Sequence, residues 1–294
     1  MARRLIVKLS EACDKLPSAL FVTGVVGRHA YPSFHGGFGD IYQASYAGST
    51  VALKHMRTFT DRGQDQRRIR LQFCREALVW QRLQHPHIVP FLGIDRDAFP
   101  PSLCMVSPWM KHGTVLNYLS EYGRSNMDKM LSEIAQGLQY LHSQNVVHGD
   151  LRGTNILISN ECRACLADFG LSSFSNATAS RTNSTHRAGS IRWMAPELIA
   201  PERFGKKFVR TAASDIYAFG CVCMELYTGR PPFSPSSETV AMLKVIEGER
   251  PSRPSSEPFM SNALWEDITE CWAQDPAMRP TAEIVAQYYM GRLK

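Results

Sequence analysis

Lys54, Glu76, Asp150, Asn155 and Asp168 are the side chains of this chain best suited to chemistry on phosphate. Ahead of them runs a glycine-rich stretch, Phe34-His35-Gly36-Gly37-Phe38-Gly39-Asp40-Ile41-Tyr42. Glycines let backbone amides approach phosphate oxygens with no Cβ in the way. Lys54 closes the run Val51-Ala52-Leu53-Lys54, fifteen residues past Gly39. A long, flexible lysine is a poor phosphate clamp unless a carboxylate fixes it. Glu76, nine residues before His85-Pro86, is the candidate for that task. Asn155 and Asp168 offer hard oxygen atoms of the kind magnesium prefers, and Asp150 a carboxylate beside them in the sequence. Taken alone, the glycine run fits a plain hairpin turn equally well, and single surface Lys, Glu and Asp residues are common. The ordered set is what carries weight. A dinucleotide fold is excluded for the glycine run, because a strand follows where a helix would be required.

The elements that must position these residues change character along the chain. Residues 1 to about 30 read as a helical extension with Leu5, Leu9, Leu16 and Leu20 as apolar points. From Tyr31 to about Met110 the pattern is strands with one helix. Residues 41–46 and 50–54 alternate as strands around the turn Ala47-Gly48-Ser49. Residues 65–84 repeat Ile69, Phe73, Ala77 and Trp80 at helix spacing. Residues 88–94 and 103–106 return to strands. Beyond Met110 helices dominate: 126–143, with Met127, Met130, Ile134, Leu138 and Leu141 on one face, then 213–228, 237–247, 261–272 and 281–292. Ser172 to Arg187, rich in Ser, Thr, Asn and Ala, reads as a mobile loop. Strands first and helices after predict an α+β fold with an interlobe cleft.

Composition sets the class. With 294 residues, 44% hydrophobic and 20% charged, the chain suits one large globular domain or two lobes. The net charge of +6 is spread along it. The basic run Arg67-Arg68-Ile69-Arg70 reads as a solvated helix face, so no nucleic-acid partner is expected. The eight cysteines form no framework, and the C-x-x-C at Cys162 and Cys165 and the C-x-C at Cys221 and Cys223 lack second ligand pairs. Both read as buried free thiols, which suits an intracellular, cytoplasmic protein. Lys8, Glu11, Asp14 and Lys15 interrupt the N-terminal apolar run, and no stretch reaches the length of a membrane span. The sequons at Asn176 and Asn183 are therefore expected to be silent.

Family resemblance rests on several motifs together. The glycine run is similar to the protein kinase glycine-rich loop, and Val51-Ala52-Leu53-Lys54 to the strand whose lysine pairs with the α- and β-phosphates. Val146-Val147-His148-Gly149-Asp150-Leu151-Arg152-Gly153-Thr154-Asn155, followed by Asp168-Phe169-Gly170, resembles the kinase catalytic loop and metal-binding motif. Gly189 to Glu197, Asp215 to Gly220, and Trp272 to Pro280 agree with later family motifs. The resemblance covers about residues 31–292. It implies a bilobal kinase-like fold: an N-terminal extension over 1–30, an N-lobe and hinge over 31–110, and a helical C-lobe over 111–294.

Each site assignment follows from the resemblance. Asp150 accepts the substrate hydroxyl proton, Glu76 holds Lys54, Arg152 reaches the γ-phosphate, and Asn155 and Asp168 hold Mg2+. Gly36, Gly37, Phe38, Gly39 and Ile41 cover the ATP phosphates. Ala52 and Leu157 sandwich adenine, with Ser107 as gatekeeper and Pro108, Trp109 and Met110 as hinge. Arg279 pairs with Glu197. The departures are Phe34 in the first glycine slot, Gly149 for the usual arginine and Arg152 for the usual lysine. Without that arginine, activity is expected to depend little on activation-loop phosphorylation. Ser190, five residues before Ala195, favours Ser/Thr protein substrates. The mixture of motifs resembles the tyrosine-kinase-like group of Ser/Thr kinases. A tyrosine or dual-specificity kinase, and a pseudokinase scaffold, remain alternatives.

Overall fold

Alternating apolar residues in 40–55 fold into a hairpin. Strand β2 (Asp40–Tyr46) pairs antiparallel with β3 (Ser49–His55), in register from Asp40↔His55 to Tyr46↔Ser49. Ala47 and Gly48 turn the chain with φ of 49° and 76°, the doubly left-handed turn that matches strand twist. In this computed structural model the described residues are 16–35, 39–56, 63–170, 173–174, 190–255 and 260–292. The chain divides into two compact units, Met1–Lys111 and His112–Lys294.

In the first unit, β1 (Phe34–His35), β4 (Gly93–Phe99) and β5 (Ser102–Pro108) complete a five-stranded antiparallel sheet of order β1-β2-β3-β5-β4. One face buries Ala44, Val51, Leu53, Cys104 and Val106. Side chains alternate along a strand. The cross-strand pairs Ile41↔Lys54↔Met105 and Gln43↔Ala52↔Ser107 therefore stand on the opposite face.

Two expectations are corrected in this unit. Residues 16–30 are not helical apart from a single turn at Ser18–Leu20. The segment runs extended instead, with Phe21 bridged to Ile94 and Val26 to Ser45. Val22 and Val25 pack on the sheet's buried face, so tertiary burial outweighs the leucine spacing. Gly93 permits this, since a Cβ there would overlap the Val22 side chain. Leu5 and Leu9 lie outside the described residues. The second correction concerns 88–94, where the strand begins only at Gly93. Ile88 and Val89 are buried from a turn, and Pro90 has no N–H to give a ladder. Helix α1 (Gly63–Trp80) stops short of residue 84 and buries Phe73, Ala77 and Trp80 as the spacing predicts.

The second unit is helical, completing the α+β fold. Helix α2 (Val115–Tyr122), too short to show a clear period, was not anticipated; Thr114 caps it. Helix α3 (Met127–Ser143) buries the whole expected face and packs on the closing helix, residues 282–291. Short strands follow: β6 (Val146–Val147), β7 (Ile156–Ile158), β8 (Ala164–Leu166) and β9 (Ser173–Phe174). β7 pairs with β8, and β6 with β9. Except for Ser173 and Phe174, the predicted loop 172–187 lies outside the described residues. After α4 (Pro196–Ile199), helix α5 (Ala212–Thr228) is buried from Ser214 to Leu226. A reciprocal Thr211–Ser214 capping box starts it, and Gly229, at φ 67°, ends it. Helices α6 (Glu238–Glu247), α7 (Asn262–Cys271) and α8 (Ala282–Gly291) finish the chain. Cys221 and Cys223 are buried free thiols as expected and Cys165 is buried, whereas Cys162 is only half-buried.

Candidate active site

In the sheet unit, β3 carries Lys54 and α1 carries Glu76. Lys54 Nζ donates to Glu76 Oε1 at 2.6 Å, with side chains 12% and 0% exposed. Burying either charge singly is costly, so each fixes the other. Ile41, Ala52 and Ser107 share the Lys54 face of the sheet by register. Gly39 is buried where β2 begins. A Cβ there would overlap the His55 carbonyl oxygen and lie 3.1 Å from its carbon. Pro108 ends β5 opposite Val51 and Met110 follows, half-buried. Phe34 stands half-exposed and stacks on Trp109, with ring centroids 6.1 Å apart. Gly36, Gly37 and Phe38 lie outside the described residues.

In the helical unit, α5 anchors the loop 148–155. Asp215 accepts the amides of His148, at 2.8 Å, and Gly149, at 2.9 Å. Gly149 adopts φ 81°, which glycine takes without steric cost. His148 Nδ1 accepts the Asp150 amide at 3.2 Å, so its Nε2 carries the proton given to Ala167 O at 3.1 Å. Asn155 Nδ2 donates to the Asp150 carbonyl at 2.8 Å and to its carboxylate at 3.0 Å. The Asn155 carbonyl accepts the Ala167 amide at 2.9 Å, tying the loop to the residue before Asp168. Asp168 holds the left-handed φ of 62°, a conformation short polar side chains tolerate.

Burial pushes the Asp150 carboxyl upward and the Asp168 charge adds to it; Arg152, His148 and Asn155 oppose. Two mutually repelling carboxylates would be relieved by a dication. With its nitrogen turned to Asp150, Asn155 keeps its amide oxygen for such an ion. This hard-oxygen donor set fits Mg2+. Asp150 and Ser190 also line one small pocket with Leu151, Trp193, Met194 and Leu198. Leu157, on β7, lies between Cys165 and Thr114. Arg279 meets Glu197 through two hydrogen bonds of 2.7 and 2.8 Å, as expected.

Arg152 departs from a free-reaching cation. Its Nε donates to Thr154 Oγ1 at 2.6 Å, and its guanidinium lies 5.3 Å from the Trp193 ring centroid. Trp193 in turn donates to Glu225 Oε2 at 2.9 Å, and Gly153 N–H reaches the same oxygen at 2.8 Å. Glu225 was missed by sequence reasoning. Its signal was a lone carboxylate in the apolar run Cys221-Val222-Cys223-Met224-Glu225-Leu226.

Known proteins are similar to this chain over most of its length. HT1, a serine/threonine/tyrosine-protein kinase of Arabidopsis thaliana, is 32% identical over 251 residues, covering 83% of this chain and 61% of its own length. A probable serine/threonine-protein kinase of Dictyostelium discoideum is 33% identical over 84% of this chain and 26% of its length. The serine/threonine-protein kinase STY46 of Arabidopsis thaliana is 30% identical over 86% of this chain and 42% of its length. The chain thus spans less than two thirds of each relative. Residues 34–288 match the family described as protein tyrosine and serine/threonine kinase, and the chain belongs to that family.

Proposed function

We propose that this chain is an ATP-dependent protein kinase that transfers the γ-phosphoryl group to Ser or Thr hydroxyls of proteins. The observation that carries the reading is the Asp150–Asn155 clamp within a chain of this family. The substrate oxygen attacks the γ-phosphorus, the bond to the ADP oxygen breaks, and the hydroxyl proton passes to Asp150. Once ionised, a carboxylate pushed upward by burial and by Asp168 is a stronger base for that proton. Lys54, fixed by Glu76, steadies the α- and β-phosphates, and Arg152 meets the γ-phosphate. Mg2+ held by Asn155 and Asp168 would neutralise charge on the phosphoryl oxygens. Ser107, Pro108, Met110 and Ala52 serve the adenine ring. Ser190, buried in the pocket that Asp150 lines, supports a short hydroxyl substrate.

The test is magnesium-dependent transfer of labelled phosphate to a generic protein, followed by phosphoamino-acid analysis. Wild type is expected to yield phosphoserine and phosphothreonine, and Asp150→Ala none. Equal transfer by Asp150→Ala would overturn the assignment, and no transfer by either would leave a binding scaffold. Phosphotyrosine would favour dual specificity, the second reading that the name of the HT1 relative supports.

A further inference from the structure

Glu225 is 3% exposed inside an apolar helix, where a carboxylate costs stability unless it is compensated. One of its oxygens takes two N–H groups from different segments, Gly153 of the catalytic loop and Trp193 of the turn at 191–193. The approach is possible because residue 153 has no side chain. A Cβ there would lie 3.0 Å from Glu225 Oε2 and 2.9 Å from Leu116 Cγ. Gly153 follows Arg152 directly, and the Trp193 ring is the surface on which the Arg152 guanidinium rests. Glu225 therefore holds the backbone beside Arg152 and the ring beneath it. A planar guanidinium lies on an aromatic face in a way a compact ammonium does not. That gives a reason for arginine at position 152.

We propose that Glu225 is a positioning residue for phosphoryl transfer, acting through Gly153 and Trp193 to hold Arg152 in place. The inference rests on the kinase reading above. Since Arg152 is assigned to the transferring phosphate and Lys54 to the nucleotide, the loss belongs in kcat rather than in the KM for ATP. Burial pushes the Glu225 carboxyl up to about 7, against the pull of the two N–H groups and the Arg152 charge. Gly153, Leu116 and Trp193, which face it from the other packed segments, bring no titratable charge.

The experiment compares steady-state kinetics of the full chain and its Glu225→Gln, Trp193→Phe and double variants, using Mg-ATP and a generic protein substrate. Trp193→Phe keeps a smaller aromatic face and loses the N–H. Each single variant is expected to lower kcat by roughly threefold to tenfold, with the KM for ATP within about twofold. The double variant should be no slower than the slower single, because one weakens and the other removes the same link. Wild-type kcat should rise through about pH 7 as Glu225 ionises, and that step should vanish in Glu225→Gln. Unchanged kcat in Trp193→Phe, or losses that multiply in the double variant, would overturn the inference. If Glu225→Gln does not fold, Trp193→Phe alone decides. Asp150→Ala, run alongside, separates the two claims. Persistent transfer there defeats the kinase reading, whereas Asp150-dependent transfer with Trp193→Phe unaffected defeats only this one.

Discussion

Replacing Glu225 by Gln should make the protein's stability less sensitive to pH, in a direction and amount the structure specifies. The Glu225 carboxyl is raised from 4.5 to about 7, chiefly by burial. A group raised on folding contributes stability that is fully present below its unfolded value and is lost as pH climbs through its folded value. The displacement is worth about 3 kcal/mol. In wild type that contribution is complete below pH 4.5 and gone above about pH 7. Glutamine offers the Gly153 and Trp193 donors only a neutral amide oxygen, a weaker acceptor than the carboxylate, and never ionises. Its NH2 group adds donors that burial can leave unsatisfied, at about 1–3 kcal/mol, but that cost is the same at every pH. The difference between variant and wild type should therefore grow by about 3 kcal/mol in favour of the variant between pH 4 and pH 8. Urea denaturation of both proteins at intervals across that range measures it, and other titrating groups cancel in the difference. A difference constant to within about 0.5 kcal/mol would refute the reasoning. The expected pattern, slower transfer with stability that falls less as pH rises, is the trade-off of a buried charge retained for function.

Arg279→Ala should destabilise the helical unit by about 3–5 kcal/mol, because it strands Glu197 in the interior; thermal unfolding that does not change would contradict this. Gly39→Ala should raise the KM for ATP several-fold and lower the melting temperature, since its Cβ overlaps the His55 carbonyl; steady-state kinetics and calorimetry read both. Replacing every Ser and Thr between Ser172 and Thr185 with Ala should leave transfer within about threefold of wild type, because Gly149 offers no cation to a phosphate. Abolished activity in that variant would show that phosphorylation acts by another route. Gly149→Arg should cost about 1–2 kcal/mol, since its φ of 81° disfavours a side chain, as denaturation would report.

Local pattern carried much of the fold. The β2–β3 hairpin, α1, α3 and α5 lie within a few residues of where alternation and helical spacing put them, because their apolar residues repeat with the period of the element. The pattern failed where distant burial decided. Leu16 and Leu20 suggested a helix, yet residues 21–26 lie extended on the sheet through Ile94 and Ser45. Ile88 and Val89 looked strand-like, yet they bury from a turn beside Pro90.

Motif resemblance along the chain was enough to single out Lys54, Glu76, Asp150, Asn155 and Asp168 as candidates, because a linear motif preserves the order of its residue types. Which atoms touch is a three-dimensional matter. Only the folded chain turns the Asn155 amide nitrogen onto Asp150, lays Arg152 on Trp193 and brings Glu225 to Gly153 across 72 residues. The Arg152–Trp193 and Glu225–Gly153 contacts join segments far apart in sequence, and a hydrogen bond or a buried charge acts only over a few ångströms.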